Sequence, residues 1–140
     1  MFNGCLYFNL NGLTRRINAE AELAFAVTGL SPPQAYLLRI ILAEPGLTAG
    51  EAAARLLLAP STVTRFADAL LVRGLLERRA GEDGRQVRLF PSQEGVRLGE
   101  QVEVCAGHLA ARLKQAIGEE FFVSLVQDVR QARGRLEGEP

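Results

Sequence analysis

Two short stretches of this chain hold side chains suited to gripping a charged, grooved polymer. Ser61, Thr62, Thr64 and Arg65 cluster in one, and Asp83 and Arg85 stand two residues apart in the other. Short hydroxyls suit phosphate oxygens and tolerate close approach. A guanidinium can grip a guanine edge through two hydrogen bonds. An Arg on a projecting loop suits the narrow, negative minor groove of DNA, and a nearby carboxylate can hold such an Arg extended. The chemistry these residues offer is recognition of a duplex.

Bond-making chemistry lacks material. His108 is the only histidine, and Cys5 and Cys105 are the only cysteines, at no metal-binding spacing. No cluster of paired carboxylates stands out, and no glycine run has phosphate-loop spacing. An enzyme is not expected, and no cofactor or metal is called for. The 140 residues and 15.2 kDa leave room for one domain with appended helices. With 48% apolar residues the chain can build a core. Its net charge is zero, so any nucleic-acid surface must come from local clustering. Residues 55–88 supply it, with seven Arg against four acids. No basic leader before an apolar run and no stretch of about 18 apolar residues occur, so the expected compartment is the cytoplasm, without a membrane partner.

Pro and Gly cut the chain into helix-sized pieces. Leu6, Leu10, Leu13, Ile17, Leu23 and Val27 predict a helix over 5–28, bent near Gly12. Ser31 caps a second, nearly all-apolar helix over 33–43. Thr48 and Glu51 form a capping box for a short helix ending near Leu57. Pro60–Arg73 is the next, with Val63, Phe66, Ala67, Leu70 and Leu71 inward and Gly74 closing it. Leu75–Arg79 and Gln86–Phe90 read as a hairpin with a charged tip. Ser92 caps a long helix over 93–117, and a last one covers 119–136 along Phe122, Leu125, Val129, Ala132 and Leu136. Helix, turn, helix and hairpin over 48–90 is the plan of a winged helix-turn-helix, whose second helix enters the major groove.

Here the sequence resembles the MarR (multiple antibiotic resistance regulator) family. The carrying pieces are STVTRFADAL, RGLLERR and DGRQVRL, together with Pro33-Gln34 before an apolar helix. The resemblance implies a mostly α fold with a small β-hairpin wing, in which N- and C-terminal dimerisation helices flank the winged helix-turn-helix. It divides the chain into 1–30, an N-terminal dimerisation helix; 31–95, the DNA-binding domain; and 96–140, the C-terminal dimerisation helices. It implies a homodimeric, sequence-specific transcriptional regulator on a palindromic operator, a repressor released by a small-molecule effector. Ser61, Thr62, Thr64 and Arg65 then resemble the recognition-helix contacts, and Asp83 and Arg85 those of the wing. Two positions depart from the pattern. Ala59 stands where Ser or Asp is usual, and Gly84 where a second basic residue is common.

Other readings compete. A winged helix can bind protein instead of DNA, and Arg65 could merely pair with Asp68 three residues on. A thiol-based redox regulator is a further alternative. In the branch of the family that senses hydroperoxides, however, the reactive Cys would fall at Tyr7 rather than Cys5. Tyr7, Arg16 and Tyr36 are candidate effector contacts, suited to a phenolic or carboxylate ligand.

Overall fold

The computed structural model describes residues 1–139. The chain forms two compact units, Met1–Ala106 and a second beginning at Gly107.

Helix α1 (Leu6–Phe25) opens the first unit and ends in a 3-10 turn, Ala26–Thr28. Ala21 and Phe25, one turn apart, are its buried residues; Leu6, Tyr7, Phe8 and Leu10 lie exposed at its other end. Helix α2 (Pro32–Ala43) is the centre of the core, with Ala35, Leu37, Leu38 and Ile41 fully buried. Its start is fixed twice over. The Gln34 amide donates to the Ser31 hydroxyl at 3.4 Å, and the Ser31 amide donates to Gln34 Oε1 at 3.1 Å. Helix α3 (Ala49–Leu56) starts with the expected Thr48–Glu51 capping box, at 3.1 and 2.9 Å.

Leu57 ends α3 at φ 58°, the one positive φ outside glycine among the described residues. A leucine there crowds its Cβ against the following carbonyl. Its side chain is 58% exposed and contributes little packing. Leu57→Gly is therefore expected to stabilise the fold by about 0.5–1 kcal/mol, after the extra chain entropy of glycine is subtracted. A thermal melt should show a rise of about 2 °C. An unchanged or lower midpoint would mean that the leucine is not strained.

Helix α4 (Pro60–Val72) has no side-chain cap at Ala59, and Pro60 occupies its first turn, where no amide is needed. It closes as the sequence predicts. The Leu75 amide donates to the Leu70 carbonyl and the Gly74 amide to the Leu71 carbonyl, with Gly74 at φ 72°. This closure consumes Leu75, so strand β1 is Leu76–Ala80, one residue later than expected. Strand β2 (Val87–Pro91) also starts one residue late, because the Gly81 carbonyl, which would complete the pair with Gln86, accepts the Gly84 amide of the turn instead. The strands pair antiparallel, Leu76 with Pro91 through Ala80 with Val87. Leu47 bridges Leu89 across the outer edge of β2, which ties the hairpin to the start of α3.

Helix α5 (Gln93–Ile117) begins at Ser92. The Ser92 hydroxyl accepts the Gly95 amide and donates to the Gly74 carbonyl. A Cβ at Gly95 would lie 2.1 Å from the Leu75 carbonyl oxygen, so glycine lets α5 start directly against the end of α4. Helix α6 (Glu119–Leu136) follows Gly118, and none of its residues is buried.

Candidate nucleic-acid interface

Helix α4 is amphipathic around a narrow buried stripe. Val63, Ala67 and Leu70 are buried at helical spacing. At about 100° per residue, Ser61 and Arg65 point away from that stripe, with Thr62 and Thr64 on its two flanks. Ser61, Thr64 and Arg65 are exposed and Thr62 is half-buried. The Thr64 hydroxyl donates back to the Pro60 carbonyl at 3.0 Å, so its proton is already engaged.

The wing tip is built from a tight turn. The Gly84 amide donates to the Gly81 carbonyl at 2.9 Å, and Gly84 has φ 69°. A left-handed position favours glycine, which accounts for the missing basic residue there. Asp83 Oδ1 accepts the Arg85 backbone amide at 3.1 Å. The carboxylate thus orders the chain at Arg85 instead of gripping the guanidinium. Asp83 and Arg85 are both exposed.

The seven arginines of 55–88 divide sharply. Arg55 grips Glu44 at 2.7 Å, and its guanidinium holds the Glu44 carboxyl below the usual carboxylate range. Arg73 donates to the Gly29 carbonyl at 2.9 Å. Arg78 pairs with Asp68 across from β1 to α4. Arg79 pairs with Glu77 at 3.1 Å and lies 4.2 Å from the Phe90 ring centre. Arg88 donates to the Gly46 carbonyl at 2.8 Å and to Gln86. Among the described residues, only Arg65 and Arg85 of the seven have guanidinium groups with no partner. Asp68, the acid that could have neutralised Arg65, is occupied by Arg78.

Sequence reasoning left the Asp68–Arg78 pair unassigned. Strand alternation gave a signal, because Arg78 shares the face of Leu76 and Ala80 toward α4. The effector candidates separate. Tyr7 and Arg16 are nine positions apart on the continuous α1, so at about 100° per residue they face opposite sides. Tyr36 packs edge-on against Phe25 at 5.8 Å and under Arg39 at 5.1 Å, and Arg39 is bidentate to Glu103. Cys5 is exposed and Cys105 is buried. No group of three His, Cys, Asp or Glu among the described residues could hold a metal ion.

Residues 28–86, spanning α2 to the wing tip, match the sequence model of the MarR family. Over these residues the chain is similar to the MarR family. The family is one of winged-helix transcriptional regulators, not enzymes. PcaV, a transcriptional regulator of Streptomyces coelicolor solved with its natural ligand, is 25% identical over 86% of this chain and 91% of its own, with TM-score 0.74. The repressor CouR, solved on a 23-mer DNA duplex, superimposes with TM-score 0.86 at 21% identity over 95% of this chain and 97% of its own. MosR of M. tuberculosis gives TM-score 0.85 at 20% identity, over 99% of both chains. No curated protein matches the chain in sequence. The described residues carry the expected fold: six helices and one antiparallel hairpin, with α4 as the second helix of the helix-turn-helix. No described helix is long and apolar enough to cross a membrane.

Proposed function

We propose that this chain is a homodimeric, cytoplasmic repressor that binds a palindromic DNA operator and is released by a small-molecule effector. The observation that carries the reading is the pair of uncommitted guanidiniums. Arg65 on the outer stripe of α4 and Arg85 at the wing tip are the two arginines of the winged helix left without an internal partner. In this reading Arg65 reaches a base edge in the major groove, with Ser61, Thr62 and Thr64 beside it. Arg85 enters the adjacent minor groove, positioned by Asp83. A module that binds only protein has no reason to leave Arg on helix and wing together.

The two-fold assembly is supported by apolar surface. Helix α6 buries none of its residues, yet Phe121, Val126, Val129 and Leu136 are exposed along it. Leu6, Tyr7, Phe8 and Leu10 add a second exposed apolar face on α1. Faces of this kind need a partner. CouR has been solved bound to p-coumaroyl-CoA. That supports a phenolic or carboxylate effector here, held by Tyr36 with either Tyr7 or Arg16, since one copy cannot present both to one ligand.

The test is a binding titration on a mixed-sequence duplex over a range of salt. The log of affinity should fall linearly with log salt, by about 0.9 for each phosphate neutralised. Absence of binding at low salt, or binding insensitive to salt, would contradict the reading.

A further inference from the structure

Between the α4 helix and the wing runs a shallow groove lined by Ala49, Thr64, Leu71, Val87 and Leu89. Asp68 from the helix and Arg78 from β1 meet across it. Both side chains stay more than half exposed, at 52% and 57%. A surface ion pair so open is worth little to folding, about 0–1 kcal/mol. Its placement is more informative. Asp68 lies seven positions after Ser61 and three after Arg65, on the outer stripe of the reading helix. A lone carboxylate there would repel a duplex. Arg78 neutralises it and holds its own charge over the groove.

A major groove and its neighbouring minor groove are separated by one phosphodiester strand. If α4 lies in the first and Arg85 in the second, that strand must pass over this groove. Building on the DNA-binding reading above, we propose that Arg78 is a phosphate contact to that strand and that Asp68 is its positioning residue. The groove floor is apolar, so Arg78 is the charge within it that a phosphate can meet. Arg guanidinium suits the task because it can hold a carboxylate on one edge and a phosphate oxygen on another.

The test uses the tightest duplex recovered by selection from a random pool, with neutral methylphosphonates placed one at a time along each strand. In the wild type, one position per half-site, between the base-contact and wing-contact steps, should weaken binding about tenfold. In Arg78→Ala the same position should have no further effect, and the salt slope should drop by about 0.9 per subunit. Arg78→Gln should behave alike and serves if the alanine variant does not fold. Asp68→Asn keeps Arg78 and should keep the methylphosphonate response. Three outcomes overturn the proposal. Arg78→Ala could remain sensitive at every position where the wild type is. It could bind more weakly with an unchanged salt slope. Asp68→Asn alone could reproduce the full Arg78→Ala effect, which would make the pair a strut between helix and wing. In each of these the wild type still binds DNA, so the DNA-binding reading survives. A wild type that binds no duplex overturns both.

Discussion

Val129→Glu is expected to turn the proposed dimer into monomers and to take the proposed operator binding with it. Val129 lies on the apolar stripe of α6 and is 44% exposed on the single chain. A carboxylate there costs the isolated chain little, since water still reaches it. In a two-fold interface the charge is buried twice, once from each copy. An unpaired charge in an apolar contact costs roughly 3–5 kcal/mol. Each winged helix would then bind a half-site alone, and the loss of the linked second site lowers affinity by about 10²–10⁴. Sedimentation at micromolar concentration should show a single-chain mass, while circular dichroism keeps the helical signal. A variant that stays dimeric would place the interface elsewhere.

Arg65→Ala and Arg85→Ala are expected to fail in different ways. Arg65 sits on the outward stripe of α4 with no ion pair to break, so its removal takes nothing from the fold. Its loss should cost about 1–3 kcal/mol per base contact and relax preference at one position in each half-site. In the proposed complex Arg85 reads groove shape and charge. Arg85→Ala should weaken all sequences alike and lower the salt slope by about 0.9 per subunit. Asp83→Ala should act in the same direction as Arg85→Ala but more mildly, because Asp83 holds only the backbone of Arg85. If Arg65→Ala keeps every base preference and loses affinity alone, Arg65 is a phosphate clamp. Specificity would then come from Thr64, the wing or DNA shape.

Local signals made most of the fold legible. The Thr48–Glu51 box and the Gly74 closure are decided within a few residues, so sequence spacing was enough to place α3 and the end of α4. The strands were read one residue early because two backbone bonds compete for their first positions. The Leu75 amide is claimed by α4, and the Gly81 carbonyl, the acceptor opposite Gln86, by the turn. The candidate interface was legible in part. Ser61, Arg65 and Arg85 follow from helix period and loop position. What each arginine does depended on partners distant in sequence. Arg73 meets Gly29 and Arg88 meets Gly46, which no spacing rule brings together, and strand alternation puts Arg78 on the face toward α4 without naming Asp68 as its partner. Asp83 also differs from expectation. A carboxylate two residues before an arginine can reach either its guanidinium or its amide, and the tight turn at Gly84 selects the amide. The candidate effector residues were the least legible, since helical phase separates Tyr7 from Arg16 and packing ties Tyr36 to Phe25 and Arg39.

Selection of bound sequences from a random duplex pool tests the central claim most directly. The wild type should recover a palindrome. Its two half-sites should lie one helical turn apart, about 34–36 Å or 10–10.5 base pairs between centres, as two recognition helices on a two-fold axis require. The same selection with Arg65→Ala should recover the palindrome with one position per half-site relaxed. Recovery of no common sequence by the wild type, at salt low enough for it to bind, would contradict the account. The winged helix would then not be a reader of DNA sequence.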